Sequence, residues 1–261
     1  MKMTAVIIIA IEVFSRYENK YLIGEEIYAR LQERLLEYMD LDEYNKRFYT
    51  YPIYNIYYDT EDSHLIRTSL AKPKYKEKLR LRSYGIPTEN SKVYVEIKKK
   101  FRGMVSKRRS AMMPREAYDF LETGALPYLM PYMNAQVLAE AEYIFRRNNP
   151  VPKVFLSYER RAYFGRGDHD LRVSFDTAIT TRRTDLRLES GTYGERLLED
   201  GLWLMEIKVA RSIPLWLARL LSEYEIYPRS FSKYGAEYLK SAATLRETEI
   251  REPQELYISA Q

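Results

Sequence analysis

Short stretches in which charged and apolar residues alternate recur along the chain. The clearest covers residues 78–82, and similar stretches cover residues 95–98, 171–176 and 205–208. Because successive side chains of a β-strand point to opposite faces, each stretch predicts a strand with one apolar and one ionic face. Together with runs rich in aromatic and β-branched residues, this pattern predicts strands over 14–22, 51–59, 75–84, 92–99, 104–112, 153–164, 169–178 and 202–209.

Apolar residues at intervals of three and four predict helices between these strands. Pro114 suits a first helical residue and Gly124 a helix stop, while Asn134 suits an N-cap. Pro214 precedes a segment with a broad apolar stripe. The predicted helices cover residues 24–39, 114–120, 136–147, 215–224 and 234–247.

About eight strands with several flanking helices predict an α+β fold. Helices that cover the apolar strand faces leave the ionic faces pointing inward. If the strands close into an antiparallel eight-stranded β-barrel, those faces line a positively charged tunnel. No low-complexity tract or Gly/Ser linker interrupts the sequence, so we expect one domain over residues 1–261, with a core at about 14–240 and a C-terminal helix and tail at 241–261.

The apolar run at residues 5–11 has two interpretations, a membrane anchor or a first buried strand. It is too short to span a bilayer and is followed at once by Glu12 and Arg16. We therefore favour the strand, or in part an extension at the start of the chain. No other run approaches a spanning length, so we expect a soluble, cytoplasmic protein.

Composition narrows the range of chemistry. The chain has 42 Lys and Arg against 37 Asp and Glu, and a formal net charge of +5, which favours anionic partners. Cysteine is absent and there are two histidines, so disulfides, thiolate metal sites, histidine zinc centres and a Ser-His-Asp triad are not expected. The sequence also lacks a P-loop and the kinase motifs, so a glycine-rich loop does not cradle phosphate here.

The ionic strand faces concentrate Arg and Lys, the residues that bind phosphate best. Arg donates two parallel hydrogen bonds from a planar fork, and Lys provides a movable point charge. Arg80 and Arg82 lie about 7 Å apart on one face, a spacing that suits neighbouring phosphoryl groups. The alternative is that each cation belongs to a surface ion pair. The other candidates lie on different predicted strands, namely Lys20, Lys98, Arg160 and Arg172.

Glu206 is the sharpest acidic candidate. It shares a face with Lys208, which joins the predicted phosphate-binding set. A carboxylate beside polyanionic phosphates repels them unless a hard divalent cation such as Mg²⁺ or Mn²⁺ bridges the two. The alternative role is a salt bridge to Lys208 or to a neighbouring arginine. Glu18 and Glu96 are weaker candidates for the same metal-binding role.

Nine stretches in order and spacing resemble the VTC (vacuolar transporter chaperone) domain family, within the triphosphate tunnel metalloenzymes. The departure from hydrolytic relatives is Arg16, which replaces the first glutamate of their ExExK strand. The resemblance therefore favours a transferase over a triphosphatase. The matching stretches are residues 16–22, 55–59, 78–85, 95–98, 107–109, 156–160, 171–176, 205–208 and 230–235.

The resemblance implies a polyphosphate polymerase-like enzyme that moves the γ-phosphate of ATP onto a polyphosphate chain with Mg²⁺ or Mn²⁺. It implies that Arg80, Arg82, Arg172 and Glu206 are catalytic, with Glu206 as metal ligand, and adds Lys107 and Lys233 to the phosphate ligands. Which of Lys107, Arg108 and Arg109 faces the tunnel stays open. So do a triphosphatase or adenylyl cyclase-like activity and a non-catalytic polyphosphate or RNA binder. We expect ATP and polyphosphate as partners rather than nucleic acid, and a separate membrane subunit is compatible with the sequence.

Overall fold

The computed structural model describes residues 14–102 and 104–244. Five helices cover α1 (Glu25–Leu35), α2 (His64–Leu70), α3 (Pro114–Thr123), α4 (Ala135–Asn148) and α5 (Leu215–Glu223), and a further one, α6, covers residues 233–244. The strands are β1 (Phe14–Gly24), β2 (Met39–Leu41), β3 (Tyr51–Asp59), β4 (Tyr75–Ser83), β5 (Val93–Phe101), β6 (Met104–Met112), β7 (Val151–Gly165), β8 (Asp168–Arg182), β9 (Glu195–Arg196) and β10 (Leu202–Val209).

Eight of the strands pair as an antiparallel ring. Neighbours run in the order β7, β3, β4, β5, β6, β1, β10 and β8, and β8 pairs again with β7. The shortest seam is between β1 and β6, where only residues 14–16 pair with residues 105–107. Two short strands lie outside this ring order: β2 pairs with β7, and β9 pairs with β8. The predicted eight-stranded barrel with flanking helices is confirmed.

Two apolar clusters cover the outside of the ring. Leu79, Val95 and Ile97 pack under α3 and α4, whereas Val173, Met205 and Ile207 pack under α1 and α5. Each of these residues alternates along its strand with a charged one. Burying the apolar face under helices therefore fixes the strand register and turns the charged face inward.

A third apolar cluster fills part of one end of the ring. Leu156 and Leu204 contribute from the strands, Ile66 from α2 and Tyr234 from α6. Buried Asp59 joins these helices, because its carboxylate accepts the Leu65 and Ile66 backbone N–H groups at 2.8 and 2.9 Å and the Tyr234 hydroxyl at 2.9 Å. The beginning of α6 is thereby fixed against the interior of the ring.

The predicted elements differ from the structure at a few points. The first helix ends at Leu35 instead of residue 39, since Met39 enters β2 and pairs with Gly165 of β7. Helix α2 and strand β9 were not predicted, and β8 extends beyond residue 178 to Arg182. The apolar run at 5–11 and residues 245–247 of the last predicted helix lie outside the described residues.

Candidate functional site

The charged strand faces form the interior surface of the ring, which we call the lumen. Arg80 lies directly opposite Tyr57 and Glu96 on the neighbouring strands, and Lys98 lies opposite Lys107. The same register places each predicted ligand on a ring strand in the lumen, and Lys233 enters it from α6. Those strand ligands are Lys20, Arg80, Arg82, Lys98, Lys107, Arg160, Arg172, Glu206 and Lys208.

Glu96 is at the centre of one cationic group. Its carboxylate, only 1% exposed, lies 2.8 Å from Arg80 Nε, 2.5 Å from Lys107 Nζ and 3.6 Å from Arg82 Nε. Burial alone would raise the pKa of Glu96, but Arg82, Lys107 and Arg80 hold it well below its ordinary value. One carboxylate is thus shared by three cations, so this group keeps excess positive charge.

Asp176 is at the centre of a second group. Arg160 donates from Nε to Asp176 Oδ1 at 2.6 Å and from Nη2 to Asp176 Oδ2 at 2.8 Å. Lys233 Nζ lies 2.5 Å from the same Oδ2. Burial would raise the pKa of Asp176, but Arg160 and Lys233 lower it to about 2. Both cations also lie over the Tyr158 ring, and the Tyr158 hydroxyl accepts from Arg82 Nη2 at 3.1 Å. Tyr158 therefore links the two carboxylate centres.

Glu206 belongs to a looser group dominated by lysines. Its carboxylate lies 3.4 Å from Lys208 Nζ and 4.0 Å from Lys20 Nζ. Burial would raise the pKa of Glu206, yet Lys208 and Lys20 hold it well below its ordinary value. The Lys208 contact is the salt bridge expected as an alternative role, but the long distances leave the carboxylate less tightly held than Glu96 or Asp176. Glu18 pairs with Lys98 at 2.7 Å.

Two lumen groups have buried polar atoms without partners in the described part of the chain. Arg172 lies 3.4 Å from Asp42 through Nη2, but its buried Nε has no hydrogen-bond acceptor. Ser174, directly opposite Glu206, has a buried hydroxyl with no partner. An unpaired buried donor is costly unless a ligand satisfies it, so these atoms mark places where a bound anion or cation would be stabilised.

The donor set near Glu206 fits a divalent cation that binds together with phosphate. Within residues 14–102 and 104–244, no cluster of three or more Asp, Glu or His side chains could hold a metal on its own. Mg²⁺ usually takes one or two carboxylates, with substrate phosphates and water completing its shell. Glu206 and Ser174 supply a carboxylate and a hydroxyl from adjacent strands, which matches that requirement.

A cavity of about 390 Å³ lies at one end of the lumen, and we call its cationic wall the basic rim. Lys76 and Lys100 face each other there, one step beyond the lumen pair of Lys78 and Lys98. Burial, and then repulsion from Lys100, Lys72 and Lys98, lowers the pKa of Lys76. None of the described residues that line the cavity is acidic. The basic rim consists of Lys72, Lys74, Lys76, Lys100 and Arg102.

The structure answers which side chain of the triplet at 107–109 faces inward. Lys107 pairs with Glu96 in the lumen and Arg109 lies opposite Glu96, whereas Arg108 pairs with Glu140 on α4 outside. Lys78 was missed as a lumen cation although it begins the clearest alternating stretch, and its Nζ lies 2.9 Å from Ser232 Oγ. Tyr57, Tyr158 and Asp176 were also missed, because only the ring brings them beside the arginines.

Comparisons with known proteins identify the family and the fold of the chain. The model of the VTC domain family matches residues 15–241, which include every predicted site residue. A search of curated proteins found no match to the sequence. None of the helices within the described residues is long and apolar enough to cross a bilayer.

Solved structures resemble this chain at low sequence identity. The crystal structure of a candidate adenylate cyclase from Bacillus halodurans gives a TM-score of 0.53 at 14% identity, over 85% of this chain and 96% of that one. A candidate adenylyl cyclase from Hippeastrum, described as having a dominant triphosphatase activity, gives a TM-score of 0.44 at 16% identity. The match covers 84% of this chain and 93% of that one. At such identity the Bacillus halodurans structure establishes the shared fold alone.

Proposed function

The chain belongs to the VTC domain family, and from that premise we propose that it is a divalent-metal-dependent phosphotransferase that moves the γ-phosphate of ATP onto a growing polyphosphate chain. The observation that carries the proposal is the cation excess of the lumen. Glu96 is shared by three cations, and Asp176 and Glu206 by two each. The remaining positive charge is available to a linear polyanion.

Positioning and charge neutralisation do most of the work in phosphoryl transfer. Arg80, Arg82 and Arg172 would hold successive phosphates through charge-assisted hydrogen bonds. The lysines around Glu206 would meet the γ-phosphate and the acceptor. A bound divalent cation supplies further neutralisation of the transferring group, and Glu206 with Ser174 would hold it.

The transfer step needs no dedicated base in this chain. A terminal oxygen of the acceptor attacks the γ-phosphorus of ATP, the bond from that phosphorus to the β–γ bridging oxygen breaks, and ADP leaves with the bond's electron pair. The acceptor oxygen is already anionic at neutral pH, so no proton has to be removed. The role of the lumen is to bring two anions together, which repel each other in water.

The lumen carboxylates already form ion pairs with Arg and Lys side chains, and this supports phosphoryl transfer over hydrolysis. A water nucleophile needs a carboxylate or other base that is free to accept its proton. Glu18, Glu96 and Asp176 each contact a cation at 2.8 Å or less, and Glu206 is the one we assign to the metal. Arg16 in place of an acidic residue removes a further carboxylate.

The basic rim supports a polymeric product. A single triphosphate needs only the few cations that contact it, whereas a growing chain requires a path out of the ring. The rim continues the columns of lumen cations on β4 and β5 by one further pair, Lys76 and Lys100. We assign the rim as the exit through which the elongating polyphosphate leaves.

Product analysis tests the proposed function. The protein is incubated with ATP and Mn²⁺, and the products are separated by gel electrophoresis and chromatography. Long polyphosphate with stoichiometric ADP is the expected outcome. Inorganic phosphate alone would indicate a triphosphatase, and cyclic AMP an adenylyl cyclase-like enzyme. Binding of polyphosphate or RNA without turnover would indicate a non-catalytic binder.

A further inference from the structure

Tyrosines gather at the end of the ring opposite the basic rim. The inward-facing positions of β3 and β5 at this end are Tyr51 and Tyr94, and Tyr84 follows Arg82 by two positions as β4 ends. Tyr44 reaches the same place from the turn after β2. Three adjacent strands thus each place a tyrosine at this opening, and Tyr44 adds a fourth. We call these four residues the tyrosine mouth.

The four rings form one continuous network. The Tyr44 centroid lies 5.3 Å from that of Tyr51 and 6.1 Å from that of Tyr84, and the Tyr84 centroid lies 5.8 Å from that of Tyr94. The rings of Tyr44 and Tyr84 are parallel within 4°. Tyr51 is buried, but Tyr44 is 55% and Tyr84 is 39% exposed. The exposed faces of Tyr44 and Tyr84 are therefore accessible to a ligand at the opening.

Lumen arginines border the tyrosine mouth directly. Tyr94 lies opposite Arg82 and under the guanidinium of Arg109 at 4.7 Å, and Tyr51 lies opposite Arg160. Phosphates bound by these arginines would therefore begin at the mouth and extend inward to the lysines around Glu206. Whatever is joined to the outer phosphate must lie against the tyrosines.

We propose that the tyrosine mouth binds the nucleobase of the nucleoside triphosphate substrate, with Tyr84 and Tyr44 providing the stacking faces. This inference rests on the proposed function, because it takes the lumen as the triphosphate site. It also gives the substrate a direction, with the base outside, the γ-phosphate innermost and the product leaving at the basic rim. A nucleotide is thereby distinguished from the polyphosphate product, which lacks a base.

Stacking explains what the mouth would and would not discriminate. Every nucleobase has an aromatic face, so stacking on tyrosine strengthens binding with little preference for sequence. The four tyrosines present aromatic faces, and the arginines beside them, Arg82, Arg109 and Arg160, are assigned to the phosphates. We therefore expect ATP and GTP to bind with similar affinity, both more tightly than UTP, whose single ring stacks over less area, and all more tightly than inorganic tripolyphosphate.

Calorimetric titration of ATP and of inorganic tripolyphosphate, each with Mn²⁺, tests the assignment on the intact chain. For Tyr84→Ala we expect a loss of about tenfold or more in ATP affinity and no change for tripolyphosphate. Tyr84→Phe, which keeps the ring, should retain the wild-type preference for ATP. Tyr143→Ala, at a 63% exposed tyrosine on the outer helix α4, is the matched control.

The titrations separate this inference from the function beneath it. If wild-type protein binds ATP and tripolyphosphate equally, or if Tyr84→Ala weakens both alike, the tyrosine mouth is not a nucleobase site while the lumen remains a phosphate site. If neither ligand binds, the lumen assignment fails and the nucleobase site fails with it. The melting temperature of each variant, measured without ligand, excludes loss of folding as the cause.

Discussion

Lys98 Nζ lies 2.7 Å from the Glu18 carboxylate although β6 separates their strands in the ring. Side chains on non-adjacent strands can meet in this way only across the interior. Burial would lower the pKa of Lys98, but Glu18 on β1 and Glu206 on β10 raise it, so carboxylates from two other strands act on one ammonium group. The lumen is therefore narrow enough for a phosphate chain to contact several walls at once.

Replacing Arg172 should weaken phosphate binding without unfolding the protein. Its Nε is buried without a partner in the described part of the chain, so a phosphate oxygen would gain a charge-assisted hydrogen bond there, worth roughly 1.5–3 kcal/mol. Arg172→Ala should lower tripolyphosphate affinity about tenfold or more by calorimetry. Arg108→Ala, on the outward face of β6, should leave the affinity unchanged. Equal affinities for wild-type and Arg172→Ala would exclude Arg172 from the site.

Glu206→Gln should separate catalysis from binding. The amide keeps the size of the side chain but removes the anionic metal ligand, while the cations still hold phosphate. We expect turnover of ATP with Mn²⁺ to be lost and polyphosphate affinity to be largely retained. Glu140→Gln, which removes an ion-paired carboxylate on α4, should keep full activity. A lower melting temperature with near-normal turnover in Glu206→Gln would indicate a salt-bridge role instead.

Phosphate binding should depend on pH through two lysines. Burial lowers the pKa of both Lys78 and Lys208 to about 8, in the case of Lys208 against the opposing effect of Glu206. The ordinary pKa of a lysine is 10.5. Between pH values of about 8 and 10.5, the unfolded chain therefore binds more protons than the folded chain, and these two lysines make the free energy of unfolding rise with pH. A polyanion favours the charged lysine, so its affinity should fall over the same interval.

Thermal shift measurements with tripolyphosphate at about pH 7.5 and about pH 9.5 check this opposition. The melting temperature gained from the ligand should shrink at the higher pH. Lys78→Arg, which stays charged throughout, should show a smaller decrease than the wild-type protein. A ligand-induced shift that is constant across this range would show that neither lysine contributes to binding.

Reversing charge at the basic rim should shorten the product. Lys72→Glu with Lys74→Glu places two anions at the proposed exit but leaves the lumen intact. We expect shorter polyphosphate on gels, with the KM for ATP within about twofold of wild type. The matched control, Arg115→Glu with Arg219→Glu, changes exposed arginines on α3 and α5. Unchanged chain length in the rim variant would contradict the exit assignment.

Strand positions were predictable because alternation of apolar and charged residues is a local signal. Residues 51–59 and 104–112 agree with β3 and β6 to the residue. Helix α2 was missed because it has only seven residues and begins after Ser63, whose φ of 59° is left-handed. Its first N–H, that of His64, donates to Thr60 Oγ1, and the next two donate to Asp59, which belongs to the preceding strand.

The membership of the lumen was predictable in part. Arg80 and Arg82 follow from alternation, and the structure places both beside Glu96. Glu96 was ranked below Glu206, since nothing local reveals that a carboxylate will meet Lys107 from another strand. Which of Arg108 and Arg109 points inward required the register between β5 and β6. Such contacts depend on pairing between distant segments, which a single sequence does not specify.

Transfer of labelled phosphate tests the central claim most directly. Wild-type protein is incubated with Mn²⁺, γ-labelled ATP and a polyphosphate primer of defined length, and the products are sized. Label in a primer lengthened by one phosphate, with equimolar ADP and with loss of transfer in Glu206→Gln, is the predicted result. Recovery of the label only as inorganic phosphate, or only in unreacted ATP, would contradict a phosphotransferase in the lumen.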